Sequence, residues 1–127
     1  MTVEPAVLRD ILDYEPDTGV LRWKRRDVAS FASEHAAKIW NAKYPGTRAL
    51  ANKNRGGYLK GLIFGRTYIA HRIIWAWVSG EYPPDGLEID HINRVRDDNR
   101  LSNLRIVTHS QNSLNRGRRG STIGRAA

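Results

Sequence analysis

The chain has 127 residues, 40% of them apolar and 27% charged, which suits one domain with a modest core and excludes a disordered chain or two independent cores. Lysine and arginine outnumber aspartate and glutamate by 21 to 13, giving a net charge of +8 and a pI near 10.3; the excess points to a polyanionic partner without separating DNA from RNA or an anionic membrane. Cysteine is absent, which rules out disulfides and thiolate zinc sites, and no apolar run approaches the roughly 20 residues that span a bilayer.

Residues 2–14 (TVEPAVLRDILDY) read as an amphipathic helix. Thr2 can cap it, Pro5 sits in the first turn where its missing N–H is harmless, and Val7, Leu8, Ile11 and Leu12 share a face. Pro16 to Gly19 is a turn, after which Val20-Leu21-Arg22-Trp23 alternates like a strand. Leu21 and Trp23 then face one way and Arg22 and Lys24 the other, and Arg25 and Arg26 extend the basic run as candidate phosphate contacts.

The stretch from Ser30 to about Ala42 (SFASEHAAKIWNA) predicts a second helix, docked through Phe31, Ile39 and Trp40 and stopped by Pro45-Gly46. His35 is expected on its surface. From Gly46 to Ala70 the pattern is β: Asn54-Arg55-Gly56-Gly57 separates two extended segments, and Gly65-Arg66 is the predicted turn of a hairpin in a small antiparallel sheet. His71 to Val78 (HRIIWAWV) is the most apolar helix, closed by Gly80 and Pro83-Pro84, with Ile73, Ile74, Trp77 and Val78 as the expected centre of the core. His71 is expected to orient the turn or pack beside the segment that follows.

That segment, Leu87 to Asn115, reads LEIDHINRVRDDNRLSNLRIVTHSQNSLN. Residues 87–92 form a predicted strand, 93–102 a polar loop and 104–107 a return strand, and Ser110 is placed to cap a helix beginning near Gln111. Asp90 and His91 are neighbours on a strand, so their side chains tend to opposite faces, and both serve one site only where the strand ends or bends. Asn103 follows His91 by twelve residues, and Asn112 follows Asn103 by nine. In the first helical turn Asn112 would point back over the mouth of the hairpin.

Each of these residues has an ordinary explanation when taken alone: a strand end, a turn, a helix start. Together they make a site for phosphodiester chemistry. A hard divalent cation takes oxygen ligands, and Asp90 and Asn112 supply two, leaving the rest of a Mg²⁺ shell to phosphate and water. His91 fits a general base. Asn103 cannot shuttle protons, so its expected work is to brace the loop and orient His91 by hydrogen bonding. Arg94, Arg96, Arg100 and Arg105 are the candidate clamps on flanking phosphates. Asp97 and Asp98 are expected to shape the loop, and His109 is the main decoy.

Asp90-His91, Asn103 and Asn112, in that order and spacing, resemble the motif of the HNH endonuclease family, in the phage- and intron-encoded form with Asn at the third signature position. A weaker resemblance runs through EPDTGVLRW, GGYLKGLIFGRTYIAHRIIWAW and DHIN…DNRLSNLR. It implies the same metal, base and bracing roles at Asp90, His91, Asn103 and Asn112, and a ββα-metal core.

The fold expected is a small single α+β domain over residues 1–116, with the ββα-metal core at about 87–116, a small antiparallel sheet and N-terminal helices. Residues 117–127 are read as a flexible basic tail, with Arg116, Arg118 and Arg119 able to lie along a phosphate backbone. Related phage proteins often continue into a further DNA-binding module, so weak sequence specificity is expected of a chain that ends here. The expected function is a Mg²⁺-dependent DNA endonuclease, with Mn²⁺ as a substitute. It would act on double-stranded DNA in the cytoplasm of a bacterial or phage-infected cell, leaving 5′-phosphate and 3′-hydroxyl ends. One such site cuts one strand, so a monomer nicks and a homodimer cuts both. The alternatives are a non-catalytic nucleic-acid-binding protein with an HNH-like shell, and a structural basic protein of the ribosomal or capsid-associated kind.

Overall fold

Proline at the first helical position starts helix α1 (Pro5–Ile11), with Glu4 rather than Thr2 at the cap. In this computed structural model, which describes residues 2–112, the helix stops short of the expected Tyr14. Leu12 turns to extended backbone, and Leu12–Glu15 becomes strand β1, paired antiparallel with β2 (Val20–Trp23). Leu12 and Tyr14 are buried while Asp13 and Glu15 are exposed, a period of two that the helical spacing of Leu8, Ile11 and Leu12 masks in the sequence.

Helix α2 (Glu34–Lys43) begins later than the sequence suggests, because Ser33 caps it: the Ser33 hydroxyl accepts from the Ala36 N–H at 3.1 Å. Residues Val28–Ser30 form a separate 3-10 turn capped by Asp27. Phe31 and Trp40 make the expected aromatic dock, with Trp40 against Trp23, Phe31 and Tyr44 at 5.3–5.8 Å between centroids. Ile39 does not join it and is 56% exposed. Helical rotation carries position 39 away from the face that Trp40 presents.

Strands β3 (Asn52–Lys53), β4 (Leu59–Ile63) and β5 (Arg66–Ile69) form an antiparallel sheet in that order. Its hairpin turn is Phe64-Gly65, one residue earlier than expected. Ile63 pairs with Arg66, and both turn residues have positive φ, 49° and 78°, as a two-residue turn matched to the twist of its strands requires. Helix α3 (Ala70–Ser79) follows directly and ends on Gly80.

Leu8, Leu12, Leu21, Ile63, Ile73 and Ile74 are fully buried and form the centre of the core, with Trp77 and Val78 packed against it. The Trp77 indole N–H donates to the Leu12 carbonyl at 2.9 Å, and Arg9 reaches the Trp77 and Val78 carbonyls. These bonds tie α1 and β1 to α3, the platform from which the last hairpin projects.

That hairpin is β6 (Leu87–His91) with β7 (Leu104–Thr108), antiparallel, with Asp90 opposite Arg105 and His91 opposite Leu104. Residues 109–112 open a helix. Its cap is Thr108, not Ser110: the Thr108 hydroxyl accepts from the Gln111 N–H at 3.2 Å while the Gln111 amide oxygen accepts from the Thr108 N–H at 2.9 Å. Two strands and a helix start are thus in place, within an α+β fold. The expected domain limit at 116 and the tail at 117–127 lie outside the described residues. No described helix is long and apolar enough to cross a membrane.

Candidate functional site

Strand alternation divides the polar residues of β6 between two faces. On one side are Glu88 and Asp90. The Arg105 Nε, across the ladder, donates to Asp90 Oδ2 at 3.0 Å, and Asp90 is only 4% exposed. Glu88 accepts a short hydrogen bond from the Asn112 Nδ2 and lies 3.4 Å from His109 Nδ1. Asp90 and Asn112, proposed from sequence as metal ligands, are thus linked to one strand face, Asn112 through Glu88.

His91 ends the strand and belongs to the other side. It is 5% exposed. Its Nε2 lies 2.8 Å from Asn99 Oδ1, and its ring meets the edge of His71 at 5.0 Å and the ring of Tyr58 at 5.8 Å. His71 packs beside the site as expected. Burial, then the neighbouring His91 and Arg72, push its pKa down to about 3, so the ring is neutral at physiological pH.

The loop between the strands is held by its own polar groups. Asn103 Oδ1 accepts from the Asn93 N–H at 2.9 Å, and its Nδ2 donates to Asn93 Oδ1 and to the Asp98 carbonyl at 2.9 and 2.8 Å. The Asn103 carbonyl also takes the Ile92 N–H at 2.9 Å. Asn103 is bonded within the loop, while the amide bonded to the His91 ring, expected to be that of Asn103, is that of Asn99. Asp98 grips Arg100 in a two-pronged pair at 2.7 and 2.8 Å. That hydrogen bonding to Arg100, helped by Asn93, brings the Asp98 carboxyl down to about 2. Asp97 pairs with Lys53 of β3 at 3.0 Å. Both aspartates shape the loop.

Three neighbours of the site were not found by sequence reasoning. Glu88 stands two residues before Asp90, and strand alternation alone could have found it. Asn99 sits in a run of polar loop residues with no distinguishing signal. Tyr58 comes from a remote strand approach, and only the tertiary fold brings it to His91.

The candidate phosphate-binding arginines separate into two kinds. Arg94, at φ 65°, closes the turn after the strand with its N–H on the His91 carbonyl at 2.9 Å. Arg96 donates to the Gly56 carbonyl at 2.7 Å and lies over Tyr58. Arg100 and Arg105 are paired with the aspartates already described, and Arg25 is exposed beside α2. Arg26 differs: its guanidinium lies between Phe31, Trp40 and Phe64 at 4.2–5.0 Å from their ring centres, and burial lowers its pKa. Arg116, Arg118 and Arg119 lie outside the described residues.

The Asp90 carboxylate and the Asn112 amide each offer oxygen, the donor that a hard divalent cation takes, and in the structure they are bonded to Arg105 and Glu88 respectively. Among the described residues no group of three or more His, Asp or Glu is placed to hold a metal.

Residues 68–114 match the HNH endonuclease family model. They take in the whole β6–β7 hairpin and α3. Among solved structures, the chain is similar to the one titled "DNA binding and cleavage by the HNH homing endonuclease I-HmuI", at 23% identity and a TM-score of 0.52. The likeness covers 89% of this chain and 55% of the other, so this chain spans about half of that protein's length. No curated protein is a significant match. The HNH resemblance of the sequence is therefore met by a family match over the hairpin and by a likeness of fold.

Proposed function

We propose that this protein is a metal-dependent DNA endonuclease of the HNH kind. The observation that carries the reading is the hairpin within the matched segment. Its strand end brings a buried carboxylate and a buried imidazole into sequence contact, and its following helix returns an amide to the carboxylate's face. Asp90 and Asn112 would hold the cation through oxygen, Mg²⁺ by preference and Mn²⁺ in its place. When bound, the ion supplies positive charge to the scissile phosphate and to the departing oxygen.

His91 takes a proton from the attacking water. The water oxygen then bonds to phosphorus, the bond from phosphorus to the 3′ oxygen breaks, and that oxygen leaves with a proton from solvent. The ends are a 5′-phosphate and a 3′-hydroxyl. Arg94, Arg96, Arg100 and Arg105 border the loop and would clamp flanking phosphates, with Arg25 and the basic residues from Arg116 onward extending the contact. The substrate is double-stranded DNA, met in the cytoplasm of a bacterial or phage-infected cell. A monomer nicks one strand, and a homodimer would cut both.

The test is nicking of supercoiled plasmid with and without Mg²⁺, beside Asp90→Ala. Wild type nicks only with the ion, and Asp90→Ala loses both nicking and any Mg²⁺-induced rise in Tm. Plasmid binding without nicking under every metal would instead establish a non-catalytic nucleic-acid-binding protein.

A further inference from the structure

The chemistry proposed above requires one specific nitrogen of His91 to be basic, and a neutral imidazole has two tautomers. Burying the ring beside a polar side chain forces the choice. His91 is 5% exposed and Asn99 2%, so the contact between them is shielded from water, and a mismatched pair there would cost a hydrogen bond. The Asn99 atom facing the ring is Oδ1, 2.8 Å from His91 Nε2. An amide oxygen only accepts, so Nε2 must carry the proton. In the neutral ring the lone pair then lies on Nδ1.

Asn99 is itself fixed from outside the loop. The Tyr14 hydroxyl of β1 donates to the Asn99 carbonyl at 2.6 Å, and the Leu101 N–H donates to the Pro16 carbonyl at 3.0 Å. Gly19, in the turn between β1 and β2, fits so closely that a Cβ there would lie 2.5 Å from the Asn99 carbonyl carbon. Its φ of 79° also belongs to glycine. On the flanks, Asp98 is locked to Arg100 and Asn93. The first hairpin of the chain thus presses on the loop of the last at the residue that holds the histidine. The rings of Tyr58 and His71 limit the imidazole's remaining tilt.

We infer that Asn99 is a positioning residue: it holds His91 as the Nε2–H tautomer, so that Nδ1 is the nitrogen that receives the proton from water. The inference rests on the nuclease reading for its consequence, though not for its geometry. Asn99→Ala removes the acceptor but leaves the backbone carbonyl that Tyr14 uses, and Asn99→Asp restores an acceptor at the same place.

Two measurements on the full chain test it. The first is ¹⁵N NMR of the histidine rings at neutral pH, with the His91 signals identified by their loss in His91→Gln. Wild type and Asn99→Asp show the Nε2–H tautomer, and Asn99→Ala shows a mixture. The second is Mg²⁺-dependent plasmid nicking. Asn99→Ala lowers the rate at saturating plasmid about 10²-fold, the lower edge of what a general base contributes, with half-saturation unchanged, and Asn99→Asp recovers most of it.

An Nδ1–H tautomer in wild type would overturn the inference, as would wild-type nicking by a folded Asn99→Ala. Should Asn99→Ala fail to fold, the wild-type tautomer still decides. Should wild type bind but never nick plasmid, the nuclease reading fails, while the tautomer remains decisive for the Asn99–His91 pair.

Discussion

Arg26 and Arg105 are both partly shielded from water, and their surroundings have opposite characters. Around Arg26 the cation lies among the faces of Phe31, Trp40 and Phe64, its backbone is fastened by Asn41 on both sides at 2.9 Å, and its Nε is buried without a hydrogen-bond partner. Around Arg105 the guanidinium is bonded to Asp90, in a hairpin where carboxylates and amides are paired with one another. A charge among aromatic rings serves packing. A carboxylate held by a guanidinium can exchange that partner for a metal ion or release it to a phosphate. The net charge of +8 counts both arginines alike, but of the two, Arg105 is the one paired with a carboxylate among the described residues.

The sharpest way to separate the regions is through the rate. His91→Ala should slow single-turnover nicking by about 10²–10⁴-fold, because it deletes a proton acceptor, while plasmid and metal binding persist. His109→Ala should stay within a few-fold of wild type, since His109 is exposed and lies 3.4 Å from Glu88. The reverse pattern, with His91→Ala losing metal affinity and His109→Ala inactive but metal-bound, would move the base to His109.

A smaller effect should appear in stability. Arg105→Ala leaves the Asp90 carboxylate buried without that bond, a loss of roughly 1–3 kcal/mol, of which added Mg²⁺ should restore part. Arg26→Met exchanges the attraction of three rings, about 0.5–2 kcal/mol, for relief of a buried unsatisfied N–H of similar worth. Its unfolding free energy should stay within about 1 kcal/mol of wild type and ignore Mg²⁺. Urea unfolding of both variants, with and without the ion, measures the contrast. An equal Mg²⁺ response in the two would erase it.

These contrasts also explain what could be read from the chain. The β6–β7 hairpin and α3 were legible because their apolar runs are bounded by strong stops, Gly80 and the polar loop at one end and the Asn103-Leu104 return at the other. The end of α1 was not, because Leu8, Ile11 and Leu12 satisfy a helical period while Leu12 and Tyr14 satisfy an extended one. Tertiary pairing with β2 made the choice. At the site, Asp90, His91, Asn103 and Asn112 share one local stretch. Asn99's importance comes from Tyr14, Pro16 and Gly19, far away in the chain. Local spacing carries no trace of a contact made across 85 residues.

His71 stands where the apolar platform meets the polar site, and its effect should appear only as the pH falls. Its pKa lies near 3 in the folded protein against an ordinary 6.5. Below pH 6.5 the unfolded chain binds a proton at this residue that the folded chain refuses. Stability should therefore be fully present above that pH and fall by about 1.4 kcal/mol per pH unit as the pH drops toward 3. Other groups titrate over the same range, so the informative quantity is a difference. In His71→Gln the ring is gone and every other group remains, so urea unfolding of the two proteins at pH 7, 6 and 5 isolates this one. The wild-type curve should fall relative to the variant's by about that slope between pH 6 and 5. Parallel curves would mean that the folded protein accommodates a charged His71 beside His91, and that burial against Tyr58 does not hold the ring neutral.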